Sequence, residues 1–513
     1  MTAIHDRPPG RGGEPEPVDV PSRTDRFVGG LSQAIGGPLG AHAAHPPGRR
    51  RAQFWTATRV VLALTCLTLA LHWVQKSPCQ DAAWSDLEQF TKLCYTDVVA
   101  LYGAEDLDVG AVPYLDYPVE YPVLTGAMMG LIGLPVHAYG AGRPEVNQYL
   151  WFYNLTALAL FACAIAAAAM MLSLRRRRPW DVAMFALAPA LFVTATVNWD
   201  LLAIALAVGG VLAWARNRPT AAGILLGLGA AAKLWPAFLL LPLLFLALRT
   251  ARWEPVKRAV TAAALGWLAA NVPVMVANFD NWLEFLRRNT ERAVDWGTFW
   301  YVGREFEGVW RSGEPGERGP FQWLAAHADP QLNWLSYLLF GLACAGVGVL
   351  TLRAPRRPRF AALAFLVVAA FLLFAKVWSQ QFVLWLLPLA VLARPRWGAF
   401  LAWQAAELGY FLAFYGKMLN VSGQPVIPEG VFVLAAALRW SAVVLLCGFV
   451  INDILRPAGD AVRRNYADDP DGGPYDGAPD AGGWAERLAP LGLGPLAGPR
   501  PEPGLPVEPR PAG

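Results

Sequence analysis

Between Cys94 and Pro122 the sequence reads Cys94-Tyr95-Thr96-Asp97-Val98, then Leu101-Tyr102-Gly103, then Val112-Pro113-Tyr114-Leu115-Asp116-Tyr117-Pro118-Val119-Glu120-Tyr121-Pro122. Acids and tyrosines recur at short intervals, and Pro118 and Pro122 prevent one regular helix across them. A carboxylate in such a segment can take a proton from an attacking hydroxyl, and aromatic side chains suit the walls of a sugar site. Between 75 and 122 the acids are Asp81, Asp86, Glu88, Asp97, Glu105, Asp106, Asp108, Asp116 and Glu120. Asp97 stands out as a lone charge, preceded by Leu93-Cys94-Tyr95-Thr96 and followed by Val98-Val99-Ala100-Leu101-Tyr102. Asp106 and Asp108 fall in a more polar, glycine-bounded stretch that reads as solvated. Glu120, held between Pro118 and Pro122, is the second choice. The plain alternative is a solvated loop whose acids do no chemistry.

Lysine occurs only at 76, 92, 233, 257, 376 and 417. Lys233 and Lys376 adjoin apolar runs, where a lysine costs about 2.5–3.5 kcal/mol unless it snorkels or pairs. Binding a phosphate would offset that cost; snorkelling to the headgroups is the alternative. Arg287, Arg288, Arg292 and Arg304 are further phosphate candidates, set in a segment that also needs surface charge. In the tight turn Asn198-Trp199-Asp200, Asp200 is suited to orient a sugar hydroxyl, to pair with Lys233 or to cap the following helix. His72, His137 and His327 form no metal-ligand spacing with the acids, so no metal is expected. The six cysteines show no CxxC or zinc spacing. Cys79 and Cys94 are the pair outside the apolar runs. An oxidising compartment permits a bond between them, which would stabilise the fold by roughly 3 kcal/mol and hold the segment before Asp97 in place; two free thiols are the alternative. The glycines of 223–229 lie in an apolar helix and read as close helix packing rather than a phosphate loop. The Ser, His and Asp residues include no nucleophile elbow for acyl transfer.

The elements that must carry these residues are membrane helices. Of 513 residues, 55% are hydrophobic and 16% charged, with 22 Trp and a mean hydropathy of +0.34. A soluble fold needs a larger polar shell. The composition also argues against a disordered chain and a disulfide-dense module, and a net charge of +4 argues against a nucleic-acid partner. Residues 1–53 and 457–513, rich in Gly, Pro and charged residues, read as disordered tails around a membrane domain at 54–456. The first apolar run lies too deep in the chain for a cleaved signal peptide. Candidate spans are 60–74, 149–174, 181–197, 201–215, 220–232, 234–248, 259–277, 333–352, 360–375, 381–393, 397–415 and 430–452. Basic clusters at 175–178, 216–218, 249–258, 353–359, 394–396 and 456–464 place the intervening turns and both tails in the cytoplasm. Residues 122–139 then lie in or re-enter the outer interface, and 220–248 forms a hairpin of two short helices broken at Lys233-Leu234-Trp235-Pro236. This leaves long outer loops at 75–148 and 278–332. Without an evident inverted repeat, a lipid or solute transporter is the less favoured class.

The order of one outer helix, a long acidic first loop, an interfacial Tyr-Pro segment and many further spans resembles the GT-C glycosyltransferases. The stretch Thr96-Asp97, Tyr102-Gly103, Pro113-Tyr114 and Glu120-Tyr121-Pro122 looks like glycosyltransferase family 87, which includes polyprenyl-phosphate-mannose-dependent α-mannosyltransferases of actinobacteria. Asn198-Trp199-Asp200 with Lys233-Leu234-Trp235-Pro236, and Lys376-Val377-Trp378-Ser379-Gln380-Gln381-Phe382, match its pattern too. The family commonly has Ser-Pro-Gln-Tyr where this chain has Ser379-Gln380-Gln381-Phe382. The resemblance covers about residues 55–455. It implies an all-α, polytopic, GT-C-like bundle of about twelve transmembrane helices in the cell membrane, with the active site on the outer face. The reaction implied is transfer of a hexose, mannose by the family's example, from a polyprenyl phosphate to a glycolipid or glycan, with no cofactor besides the lipid donor. Asp97 would be the base and Glu120 its catalytic neighbour; Tyr102, Tyr121, Asn198, Asp200, Lys233, Arg292, Lys376 and Gln381 would bind substrates. A non-catalytic envelope scaffold is the remaining alternative.

Overall fold

The computed structural model describes residues 19–36, 55–81, 84, 87–310, 319–466, 468–480 and a few positions between 487 and 496; Asp86 lies outside them. Among the described residues every regular element is helical, apart from one isolated bridge between Pro113 and Tyr117. The framework comprises α1 (Ala57–Asp81), α2 (Asp97–Ala104), α3 (Val123–Gly140), α4 (Gln148–Leu174), α5 (Asp200–Ala215), α6 (Pro219–Ala232) and α7 (Leu240–Thr250). It continues through α8 (Trp253–Ala277), α9 (Phe279–Glu291), α10 (Phe299–Trp310), α11 (Asn333–Arg353), α12 (Phe360–Phe374), α13 (Val383–Ala393), α14 (Trp397–Val421) and α15 (Glu429–Leu455). Six helical segments are long and apolar enough to cross a membrane, making this a multi-pass membrane protein; five further apolar helices are 10–17 residues long.

The helix ends define two faces. On one, Arg175 at the end of α4 makes a two-pronged bond to Asp471, both contacts 2.6 Å. Arg359 binds Asp460 at 2.7 Å, and Trp214 at the end of α5 donates to the Gly472 carbonyl at 3.0 Å. Arg249 at the end of α7 reaches the Thr351 and Ala354 carbonyls. The expectation of a disordered C-terminal tail is therefore corrected for 457–466 and 468–480. This stretch lies as a strap across the basic turns, with Asp469, Asp471 and Tyr475 buried. Part of the N-terminal tail is held there too, by Asp19 to Arg178 at 2.6 Å and by Asp25, which accepts from the Trp397 N–H at 3.2 Å. The stretch read as disordered because the partners of its aspartates are far away in sequence.

On the opposite face α6 ends at Lys233, whose backbone is extended (φ −151°, ψ 142°). The chain then turns through a short 3-10 segment, Trp235–Leu239, and returns along α7. The hairpin break thus falls at Lys233, next to Pro236. α6 packs closely on α8 because Gly223 and Gly227 carry no side chain: a Cβ on either would come within 2.1 Å of the Ala259 or Ala263 carbonyl oxygen. α3 lies with both ends on this same face. Thr125 donates to the carbonyl of Ala232, the last residue of α6, at 2.7 Å, and Gly140 packs against Gln148, the first residue of α4. Residues 181–197 are not one span. They form a 3-10 turn and two short helices, Ala183–Ala186 and Pro189–Thr194, interrupted before Pro189.

Candidate active site

Asp97 is placed by its backbone. Thr96 caps α2, its hydroxyl accepting from the Val98 N–H at 3.2 Å and donating to the Thr196 carbonyl at 2.6 Å. The Asp97 N–H donates to the Val197 carbonyl at 2.8 Å. Cys79 and Cys94 form a disulfide that ties the end of α1 to this segment, and Lys76 of α1 donates to the Tyr95 carbonyl at 2.9 Å. The carboxylate, so fixed, accepts from the Asn198 amide at 2.7 Å and is hydrogen-bonded by Tyr95. The same Asn198 nitrogen lies 2.6 Å from the Tyr121 hydroxyl. Burial pushes the Asp97 pKa above the ordinary carboxylate range, while the bonds from Asn198 and Tyr95 and the nearby Lys233 ammonium pull it back.

One cavity of about 670 Å³ opens at this carboxylate. Asp97, Glu120, Tyr121, Asn198, Lys233, Arg292, Lys376 and Gln381 all line it, although they come from distant parts of the chain. Its apolar, aromatic lining comes from Trp235, Tyr337, Phe340, Phe371, Phe382 and Trp385. Phe382 stacks on Trp385 with ring centroids 4.0 Å apart, and Trp235 stacks on the other side at 6.0 Å.

The cations differ in their holders. Lys233 sits 4.6 Å above the centre of the Tyr121 ring and 3.6 Å from Asp200. Lys376 donates to the Thr290 carbonyl at 2.6 Å, and burial lowers the pKa of its ammonium. Arg292 and Arg288 flank Glu120 at 4.0 and 3.5 Å. Behind Glu120, the Glu105 carboxyl accepts its backbone N–H at 3.3 Å. Burial raises the Glu105 pKa to about 7.

Two expected substrate residues do not reach the cavity. Tyr102 is fully buried, bonded to Gln148 at 3.0 Å and stacked on Phe152. Five residues along a helix turn a side chain about 140° from Asp97, and so away from the cavity. Asp200 is also fully buried; it accepts from the Trp385 indole at 2.6 Å and backs Lys233 from outside the cavity wall. Its pairing role holds, and direct contact with a sugar does not. Sequence reasoning missed Asp295, which lines the cavity and accepts from the Trp296 and Trp378 N–H groups at 2.9 and 3.1 Å. Its setting, Ala293-Val294-Asp295-Trp296, carries the lone-charge signal that singled out Asp97. Among the described residues no group of three His, Cys, Asp or Glu side chains is arranged to hold a metal ion.

An all-helical, multi-pass membrane protein whose carboxylates, cations and aromatic rings meet in one large cavity is the class that fold and site define. The family model of glycosyltransferase family 87 matches residues 119–379, and the chain belongs to that family. The matched span includes Glu120, Tyr121, Asn198, Asp200, Lys233, Arg292 and Lys376; Asp97 and Gln381 lie outside it and enter the site on geometry. No curated protein shows a match to the chain.

Proposed function

We propose that the protein transfers a hexose, mannose by its family's example, from a polyprenyl phosphate to a hydroxyl of a glycolipid or glycan, with Asp97 as general base. The observation that carries this reading is the cavity itself: a half-buried carboxylate, three cations and an aromatic, apolar flank line it together. The acceptor O–H gives its proton to the Asp97 carboxylate as its oxygen attacks the anomeric carbon. The bond from that carbon to the phosphate oxygen breaks, and the departing lipid phosphate meets Lys233, Lys376 and Arg292. The Phe340–Phe371 side of the cavity suits the lipid, and the Tyr121–Asn198 side suits the sugar. Incubation of the purified protein with polyprenyl-phosphate mannose and envelope lipid extract, followed by mass spectrometry, tests the reaction: a product one hexose heavier supports it. Movement of the lipid across vesicles with no new glycosidic bond would make the protein a transporter.

Lys376 offers a clean test of the phosphate site. Its change to Met removes a charge-assisted hydrogen bond and weakens polyprenyl-phosphate binding by about 1.5–3 kcal/mol. Unchanged affinity, measured with the donor in detergent, would return Lys376 to a structural role. Lys233→Met is less direct, since it also strips the fully buried Asp200 of its cation.

The same reading includes a GT-C fold of about twelve crossings, both tails in the cytoplasm and the cavity open to the outer face. Its support is the gathering of the basic turns on the strap face, opposite the cavity. A cysteine at Val109, 69% exposed and beyond Asp97 in the first loop, is then labelled by an impermeant maleimide on intact cells. Labelling only after permeabilisation would invert the topology.

A further inference from the structure

Arg439 of α15 is completely buried, and Glu407 of α14 is nearly so. Arg439 Nε donates to Glu407 Oε2 at 2.9 Å, while the Trp403 indole donates to the other carboxylate oxygen at 2.9 Å. The two remaining guanidinium nitrogens donate to the Trp378 and Ser379 carbonyls, each at 3.1 Å. The guanidinium also lies 4.3 Å from the ring centres of both Trp378 and Tyr410. Each guanidinium nitrogen donates a hydrogen bond and two aromatic rings lie close by; engagement this full is rarely accidental, because ionisable residues at membrane depth are expensive.

The backbone that Arg439 grips is the turn between α12 and α13. Its other polar groups are held from neighbouring elements as well. The indoles of Trp440 and Trp300 donate to the Leu373 and Phe374 carbonyls, two orphan acceptors at the end of α12. The Asp295 N–H donates to the Lys376 carbonyl at 2.9 Å, and its carboxylate accepts the Trp378 N–H. Gly297 gives the turn room, for a Cβ there would come within 2.7 Å of the Trp378 carbonyl oxygen. The opposite side of the turn presents Lys376, Val377, Ser379, Gln381 and Phe382 to the cavity. A buried ion pair is seldom more stable than an apolar pair of similar volume, so stability alone does not account for Arg439. Its fork shape, matched to two successive carbonyls, does.

We propose that Arg439, braced by Glu407, is a positioning residue: it fixes the 375–382 turn and so holds Lys376 at the cavity wall, where it meets the lipid phosphate. The proposal rests on the cavity being the polyprenyl-phosphate site. Arg439→Lys keeps a charge opposite Glu407 but cannot grip two carbonyls or lie as a plane between Trp378 and Tyr410. It weakens polyprenyl-phosphate binding about tenfold. In a Lys376→Met background the same change costs roughly twofold or less, because its effect passes through Lys376. Wild-type affinity in Arg439→Lys, or an equal loss with and without Lys376, overturns the proposal. If the Lys variant does not fold, Glu407→Gln with Arg439→Met removes both charges together and is held to the same two comparisons. Binding is measured with polyprenyl phosphate alone. A wild type that binds this lipid but forms no sugar product therefore counts against the transfer reading and leaves the comparison at Arg439 intact.

Discussion

Asp97→Asn lowers sugar transfer by about 10²–10⁴-fold, the usual contribution of a general base, while folding and donor binding persist. Asn keeps the size of the side chain and can still bond to Asn198 after an amide flip, so the loss reports the missing negative charge rather than a collapsed pocket. The pH dependence carries a sign. A base works only when ionised, so activity falls as pH drops through the Asp97 pKa. Burial raises that pKa, so the acid limb of the pH profile lies above the range of a solvated aspartate. The Asn198 hydrogen bond favours the ionised form. Asn198→Ala therefore moves the limb further up in pH. A limb that stays in place would separate the titrating group from Asp97.

Asp471→Asn has the largest expected effect on stability. Arg175 and Asp471 are both fully buried, and the substitution leaves the guanidinium without its paired charge. Breaking a buried pair from one side costs about 3–5 kcal/mol. Arg359, 4.0 Å from Asp471, loses a neighbouring charge as well. The control is Glu254→Gln, which opens an ion pair to Arg258 whose side chains are 67% and 61% exposed; such a helix pair contributes about 0.3–0.5 kcal/mol. Thermal unfolding in detergent therefore shows a clearly lower midpoint for Asp471→Asn than for Glu254→Gln. Equal midpoints would mean that the strap is not fastened through Arg175.

Local signals in the sequence were enough to find what depends on neighbours along the chain. Asp97 shows as a lone charge among apolar and aromatic residues, and the break at Lys233 shows through Pro236 and the basic clusters at both ends of 220–248. The glycines of 223–229 read correctly as close packing. What depends on distant partners was not legible. Asp471 falls in a tail that reads as disordered, and its partner Arg175 is 296 residues away. Tyr102 shares a motif with Asp97, but the turn of α2 carries it to the other side. Arg439 sits alone in an apolar stretch at 430–452, and its meaning appears only with the carbonyls of Trp378 and Ser379 beside it. Asp295 carried a readable signal, yet the arginines of the same loop drew the phosphate reading.

The most direct test of the central claim sets Asp97→Asn beside Glu120→Gln, with product formation and polyprenyl-phosphate binding measured on the same samples. Both carboxylates line the cavity, but Asp97 is bonded within it, whereas Glu120 lies between Arg288 and Arg292. Asp97→Asn is expected to lose transfer and keep lipid binding, while Glu120→Gln retains much of both. Near-normal transfer by Asp97→Asn, with transfer abolished in Glu120→Gln, would contradict it and move the base to Glu120.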